Sequence, residues 1–470
     1  MPASCVTVQI GQCGTQLGAC VLDRLNAEAQ HENDAEYFFR RGKQGERVVR
    51  AVLVDTEPRV VGAMEGGERD DQKWVYGASN RVLCDAGLQG CANNWAKGYR
   101  TKKENVSRAA DVVRREMERA DRVDALLSFA AGAGGTGSGL GCAFHSCFSD
   151  DHPKIRPLHC VVLPDKQGDV AVGSYNATLT LNHLSKDAKR RGGGLCLLSN
   201  ELAKQMCVQV FRVERPTFDH LNDVFATLLA GNLLPYTIDG QRKGLGATLA
   251  HCCAGRLRYL TPYAAPLYER ASNAAFDQNL WPGVCGELTR RAKFLAEPIL
   301  RADEKPPVDI PLPTKASVCA GLVVGRGVGG DKACAGIAVP GPTGAPGLKY
   351  GNSPHASRIA PRAAFLFANS SAVTPVLRHI ESRCSAMLEF RAYVHHYEKY
   401  GTTAADLEAA LASLRAQIAD YDGLAPSVAS VTGGVAGLAL PPPPPRCADD
   451  DRRAAERAYD ADVGPLPPEY

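Results

Sequence analysis

The chain has no uninterrupted apolar stretch of membrane-spanning length in its 470 residues, so a membrane-embedded protein is not expected. Neither sign of charge dominates: 54 Lys and Arg against 51 Asp and Glu leave a net +3. Polyanion binders gather a basic face. The densest basic spots here, Arg40-Arg41 and Lys189-Arg190-Arg191, read as solvated loops. No nucleic-acid and no membrane partner is therefore expected. Paired metal-ligand spacing is also missing among the 17 cysteines. Cys142 and Cys147 flank His145, but just after a glycine-rich run they read as helix packing and not as a zinc site. Met1-Pro2-Ala3-Ser4 lacks a charged stretch followed by an apolar one. No signal peptide is expected, and the thiols are expected free in a reducing compartment.

What is present is a soluble globular composition, 45% hydrophobic and 22% charged, long enough for two domains or more. Strand-like runs at 6–10, 48–54, 125–131 and 160–164 alternate with helical spacing at 16–25 and 108–122. Such alternation predicts an α/β fold, a parallel sheet with helices on both faces. Ligands in that architecture sit where loops leave the carboxyl ends of strands. The loops at 11–16, 55–58, Asn93-Asn94, 132–139 and 169–176 all fall there. After Thr217 an apolar-periodic segment predicts a core helix. Strands at 317–324 and 363–368 predict a second α/β domain, and 375–422 reads as two helices split near Gly401. The expected division is 1–215, a 216–241 core helix, 242–375, a 376–423 helical region, and a disordered proline-rich tail over 424–470. The tail's five consecutive prolines, 441–445, also suit a partner domain that binds proline-rich segments.

The run Gly132-Ala133-Gly134-Gly135-Thr136-Gly137-Ser138-Gly139 carries the chemistry. A loop that wraps phosphates brings main-chain N–H groups close without side chains in the way, and glycine permits this. A helix starting at the loop adds partial positive charge, and Thr136 and Ser138 offer hydroxyls. No Lys-Ser or Lys-Thr follows, so this is not a P-loop. No Gly-x-Gly-x-x-Gly opens the first helix, as a dinucleotide fold requires.

Gly134-Gly135-Thr136-Gly137-Ser138-Gly139 resembles the signature of the tubulin family, and Gly11-Gln12-Cys13-Gly14-Thr15-Gln16 resembles its first nucleotide loop. Asn93-Asn94-Trp95-Ala96-Lys97-Gly98, Tyr175-Asn176-Ala177-Thr178-Leu179 and Arg391-Ala392-Tyr393-Val394-His395-His396-Tyr397 are similar in the same order, over roughly residues 4–422. The 51–60 segment with Asn93-Asn94-Trp95-Ala96 resembles the delta branch. The resemblance implies GTP/GDP and Mg2+ as ligands. Gln12 and Cys13 then lie against phosphates and base. Asp55 and Glu57 hold Mg2+ through water, and Asn93 and Asn94 reach the terminal phosphate. The glycine run, Gly134, Gly135, Thr136, Gly137, Ser138 and Gly139, cradles the phosphates. Asp169 takes the ribose, Asn200 and Asn222 the guanine edge, and Phe218 stacks on the base. Read singly, the two asparagines are caps, Phe218 is core and 55–58 is a strand exit. The ordered set is what reverses those readings.

Thr15 stands where the family has asparagine, Ala131 where it has serine, and Gly173 where it has an acid or amide. The stretch over 246–253 matches the loop by which a neighbouring subunit completes the pocket, yet it has no carboxylate. No catalytic residue is assigned. The mixed-charge tail is a poor mimic of acidic microtubule tails. The resemblance implies a GTP-binding structural protein of the cytoplasmic cytoskeleton at the centriole, centrosome or ciliary basal body. It would organise compound microtubules, with other tubulins (head-to-tail or lateral) and centriolar or basal-body proteins as partners. Hydrolysis would need a partner to complete the site. An autonomous GTPase, a nucleotide-free centriolar interaction module and a bacterial FtsZ-like polymer are the alternatives. The two C-terminal helices and the 391–397 motif stand against the last.

Overall fold

The computed structural model describes residues 3–29, 32–62, 74–85, 90–163, 170–267, 280–294, 316–339, 341–342 and 345–424. The strands are β1 (Ser4–Ile10), β2 (Phe39–Arg41), β3 (Arg47–Val49), β4 (Ala51–Asp55), β5 (Val75–Tyr76), β6 (Arg81–Leu83), β7 (Val123–Ala131) and β8 (Arg156–Leu163). They continue with β9 (Gly194–Ser199), β10 (Tyr236–Ile238), β11 (Gln241–Lys243), β12 (Tyr259–Ala265), β13 (Val318–Arg326), β14 (Gly347–Ser353) and β15 (Ala363–Ser370).

One sheet takes twelve of them in the order β11-β10-β14-β13-β15-β12-β9-β8-β7-β1-β4-β6. From β6 to β12 every pairing is parallel. Helices cover both faces, and β1 and β4 are buried along their whole length. That is why these strands read as apolar runs and not as alternating patterns. The α/β expectation therefore holds. The second half of the sheet is mixed, with β15 antiparallel to both β12 and β13. It joins the first half through only Tyr259 beside Leu195 and Leu260 beside Cys196.

Register positions the site. Ile10 lies beside both Val54 and Ala130, Ala131 beside Val162, and Leu163 beside Ser199. The carboxyl ends of β4, β1, β7, β8 and β9 consequently lie along one edge of the sheet.

Two elements in the first half of the chain differ from the sequence reading, and 375–422 holds three helices, Thr374–Glu389, Val394–Glu398 and Ala404–Asp422, in place of two. The 48–54 run is not one strand: buried Arg50 separates β3, in a three-stranded sheet with β2 and β5, from β4 in the main sheet. Its N–H donates to Phe38 while its carbonyl accepts from Thr7, so the chain changes sheets there, which a continuous apolar pattern does not reveal. The charged helix spans Lys103–Met117 and not 108–122. Its buried face is Val106, Ala109, Ala110, Val112 and Val113, and the residues after it turn back so that Arg122 can accept from Ser4 at the start of β1.

The Phe218–Leu233 helix lies within the 216–241 segment expected as a core helix but ends earlier, with β10 and the start of β11 taking up its last residues; it packs on the Gly11–Glu28 helix and on β12 and β15. Its C-terminal carbonyls are held by Arg326, which is buried and donates to Gly231, Leu234 and Pro235 at 2.9–3.4 Å. Burial lowers the pKa of this guanidinium to about 10, where it remains a cation on the negative end of the helix. Arg326→Met is expected to leave those carbonyls buried without a donor and to cost about 3 kcal/mol in a denaturant melt.

Between the sheet and the Gly141–Asp151 and Gly173–Arg191 helices lies a polar cluster. Ser128 Oγ is 2.9 Å from His159 Nδ1, and His159 Nε2 is 3.0 Å from Asp187. Arg191 grips both oxygens of Asp187 at 3.0 and 2.5 Å. His145, His159 and Asp187 are close enough to share a cation, but one would have to displace that guanidinium. Cys142 is buried in a hydrophobic cluster, in keeping with helix packing. Burial depresses His145 and His159, and takes His183 down to about 4. These histidines are neutral when folded but protonate near pH 6.5 when unfolded. Stability is therefore complete above that pH and drains as pH falls toward 4. His183 alone accounts for a loss on the order of 2 kcal/mol by pH 5. Unfolding midpoints should fall between pH 7.5 and 5, and less steeply in His183→Gln.

Candidate nucleotide-binding site

β7 runs straight into the glycine run, which becomes a π-helical turn, Thr136–Leu140, continuous with the Gly141–Asp151 helix. The expected helix start at the loop is thus present. No side chain caps it, and none caps the Gly11–Glu28 or Gly173–Arg191 helices that begin at the same edge. Uncapped first turns leave N–H groups without partners. The amides of Gly134 and Gly135 likewise meet no protein acceptor among the described residues.

The glycines serve close packing as much as any ligand. A Cβ on Gly139 would sit 2.1 Å from the Trp95 carbonyl, and one on Gly98 would sit 2.3 Å from the Gly135 carbonyl. Gly11 combines φ +76° with a Cβ position 3.0 Å from the Gly137 nitrogen. Gly134 differs: beyond it there is only Asn93 Oδ1, at 3.9 Å, so its surface is open. The buried Ser138 hydroxyl donates to the Gly134 carbonyl.

The neighbouring loops lock onto this run. Thr136 Oγ1 is 3.0 Å from Thr56 Oγ1. Asp55 accepts the amides of Thr56 and Glu57 on Oδ1, while its Oδ2 is buried without a partner. Burial, reinforced by Glu57 and opposed by those two amides, raises the Asp55 carboxyl to about 6. Glu57 is exposed beside Gly90. Ala92 and Asn93 both have positive φ, 47° and 51°, a costly backbone for non-glycine residues that concentrates at binding loops.

Asn93 and Asn94 part company. Asn93 is exposed, with no hydrogen bond on its carboxamide among the described residues. Asn94 is buried; it caps the Trp95–Tyr99 helix by accepting from Lys97 and donates to the His396 carbonyl. Its side chain therefore shapes the loop, and of the two asparagines only Asn93 is exposed. Gln12, Asn200 and Asn222 also have no protein hydrogen bond on their carboxamides among the described residues. By contrast Asn80, Asn232 and Asn369, outside the site, are engaged. Asn200 opens the helix after β9, and Phe218 and Asn222 lie one turn apart on the core helix. Phe218 is 68% exposed, so it is not the core residue its type suggests. Cys13 stays a thiol, pushed up to about 12 by burial. Asp169 lies outside the described residues, as do 425–470 of the tail.

One residue without an assigned role proves central. Asn176, fully buried, donates to the carbonyls of Asn93 (2.8 Å) and Ala133 (2.6 Å) and accepts from Trp95 N–H (3.0 Å) and Tyr397 O–H (2.6 Å). It ties the Asn93 loop and the glycine run to the Val394–Glu398 helix. Its motif was visible in the sequence, but nothing local indicated that its four bonds reach three separate segments.

Residues 4–207 match the family model described as Tubulin/FtsZ family, GTPase domain. The chain is 28% identical to the human tubulin delta chain over 460 residues, covering 89% of this chain and 99% of that one. It is 28% identical to the mouse tubulin delta chain over 464 residues, 90% of this chain and all of the relative. Similarity extends to a tubulin beta-1 chain of Chondrus crispus, 29% identical over 325 residues, 63% of this chain and 67% of that one.

Proposed function

Because the chain belongs to the tubulin superfamily, we propose that it binds GTP or GDP at the edge described above and acts as a structural, delta-type cytoskeletal protein. The observation that carries this is the set of three uncapped helix starts around the open surface of Gly134, bordered by free carboxamides. Such starts attract phosphate. In this reading Gln12, Cys13 and Asn93 face the phosphates with the glycine run, Asp169 takes the ribose, Asn200 and Asn222 read the guanine edge, and exposed Phe218 stacks on the base. Asn94 positions the Asn93 loop.

The orphaned Asp55 Oδ2 fits a cation, with Glu57 beside it. Bound Mg2+ would neutralise phosphate charge. Asp55 must ionise to hold it, and with a pKa of about 6 that ability fades as pH falls. Mg2+-dependent nucleotide affinity should drop about fourfold from pH 7.5 to 5.5. Asp55→Asn should abolish that pH dependence, which titration at the two pH values checks.

Hydrolysis in this reading requires a partner. The Leu245–Cys252 helix, which would complete a neighbour's pocket, carries no carboxylate. Groups supplied in trans can dominate the rate. The protein would then work in head-to-tail or lateral contact with other tubulins, at the centriole, centrosome or basal body of ciliated cells, organising compound microtubules with centriolar partners. A nucleotide-free interaction module is the second reading. It is favoured by the buried, unpartnered Thr15 hydroxyl at a position where the family has asparagine.

The deciding experiment is the nucleotide content of the purified protein together with GTP turnover across protein concentration. Bound guanine nucleotide and negligible turnover at low concentration are expected. Protein that neither retains nor rebinds GTP or GDP would leave the second reading standing. Turnover independent of concentration would defeat the assembly-dependent account. Tagged protein diffuse in ciliated cells, with none at centrioles, would defeat the delta-type role.

A further inference from the structure

Far along the sheet from the nucleotide edge, two cysteines from different segments meet. Cys285 sits on the Trp281–Phe294 helix, and Cys334 ends the short Gly330–Cys334 helix. The two helices are docked by Trp281, whose indole N–H donates to the Val328 carbonyl at 2.8 Å and whose ring covers Gly330. This docking puts Cys285 Sγ 3.6 Å from the carbonyl of Ala333, the neighbour of Cys334. Cys334 is fully buried, its sulfur lying over Gly325 of β13. Cys285 is only partly buried.

We propose that Cys285 and Cys334 are a peroxide-reactive thiol pair, in which solvent-reachable Cys285 is oxidised first and Cys334 closes a disulfide onto it. The pair is asymmetric in the way the chemistry needs. Hydrogen bonding between the two thiols lowers the Cys285 pKa and raises that of Cys334. Burial instead raises Cys13, Cys142 and Cys253. The thiolate is the nucleophile, and exposure decides whether an oxidant meets it. Cys160 and Cys196 also face each other, across β8 and β9, but both are fully enclosed and no oxidant reaches them.

The steps balance with a hydroperoxide as oxidant. The Cys285 thiolate attacks the peroxide, forming S–O as O–O breaks, and the leaving oxygen takes a proton. The product is a sulfenic acid. The Cys334 sulfur then attacks Cys285, forming S–S as S–O breaks, and the departing hydroxide leaves as water with the Cys334 proton. Two thiols are oxidised and one peroxide is reduced. The bridge ties the Trp281 helix to the β13–β14 layer.

The test uses the full chain treated with hydrogen peroxide, remaining thiols blocked by alkylation, and a non-reducing tryptic digest read by mass spectrometry. Tryptic peptides 271–290 and 333–349 each contain a single cysteine, so their linkage is unambiguous. A linked species two hydrogens lighter than the reduced pair, lost on reduction, is expected at lower peroxide than any other cysteine pairing. Cys334→Ser should trap Cys285 as a sulfenic acid, several-fold more labelled by dimedone than in the wild type. Cys285 and Cys334 both recovered as thiols, or Cys285 linked to a third cysteine, would overturn the proposal. The wild-type measurement decides even if a variant fails to fold.

Discussion

Replacing Asn176 with alanine is expected to abolish measurable guanine-nucleotide binding and to lower the melting temperature sharply. The carboxamide makes four bonds in a fully buried position, and its loss strands two carbonyls, one amide and one tyrosine hydroxyl. Each buried group left unpaired costs about 1–3 kcal/mol. The four share one side chain, so the total is not their sum; about 4 kcal/mol is a fair expectation. The loops at Asn93 and Ala133 then lose their common anchor. Tyr397→Phe removes one bond and should cost about 1 kcal/mol. In a double-mutant cycle the two changes should be strongly non-additive. Additive effects, or an Asn176→Ala protein with unchanged affinity for a fluorescent GDP analogue, would show that the hub does not hold the loops in place.

Gly139→Ala should be nearly as damaging, for a steric reason. The added methyl would meet the Trp95 carbonyl at 2.1 Å, the Tyr99 nitrogen at 2.8 Å and the Gly98 Cα at 3.0 Å. All three belong to backbone, and none can rotate away. The glycine run must back off from the Trp95–Tyr99 helix, and overpacking of this kind costs roughly 1–3 kcal/mol. The larger effect falls on binding, because a displacement of about 1 Å in a positioning element costs on the order of a hundredfold. Gly134→Ala is the control: its Cβ meets nothing nearer than 3.9 Å, so stability should hold while affinity for phosphate falls. Equal effects on stability from both substitutions would contradict this account.

Much of the fold was legible because its signals are local. Apolar runs at 6–10, 125–131 and 160–164 became β1, β7 and β8, since a strand buried on both faces has no polar side to show. The core helix was legible from its 3.6-residue periodicity. The passage at Arg50 was not, because a change of sheet depends on which strands lie alongside, and neither Phe38 nor Thr7 is adjacent in sequence. The glycine run was recognised, but for half its reason. Glycine was expected so that phosphate could approach; at Gly98 and Gly139 it is needed so that two backbones can.

Asn93 and Asn94 draw the dividing line most sharply. Their place in an ordered set of motifs identified the family and the edge of the sheet where a nucleotide would sit, and composition, order and spacing suffice for that. As neighbours of identical chemistry they were given one role. Which of them is free to meet a ligand depends on His396, 302 residues further along the chain, whose carbonyl takes the Asn94 amide and leaves Asn93 exposed. A side chain's availability is set by the partners that packing brings to it. Those partners are distant in sequence, so the choice between two equal residues was made by the folded chain.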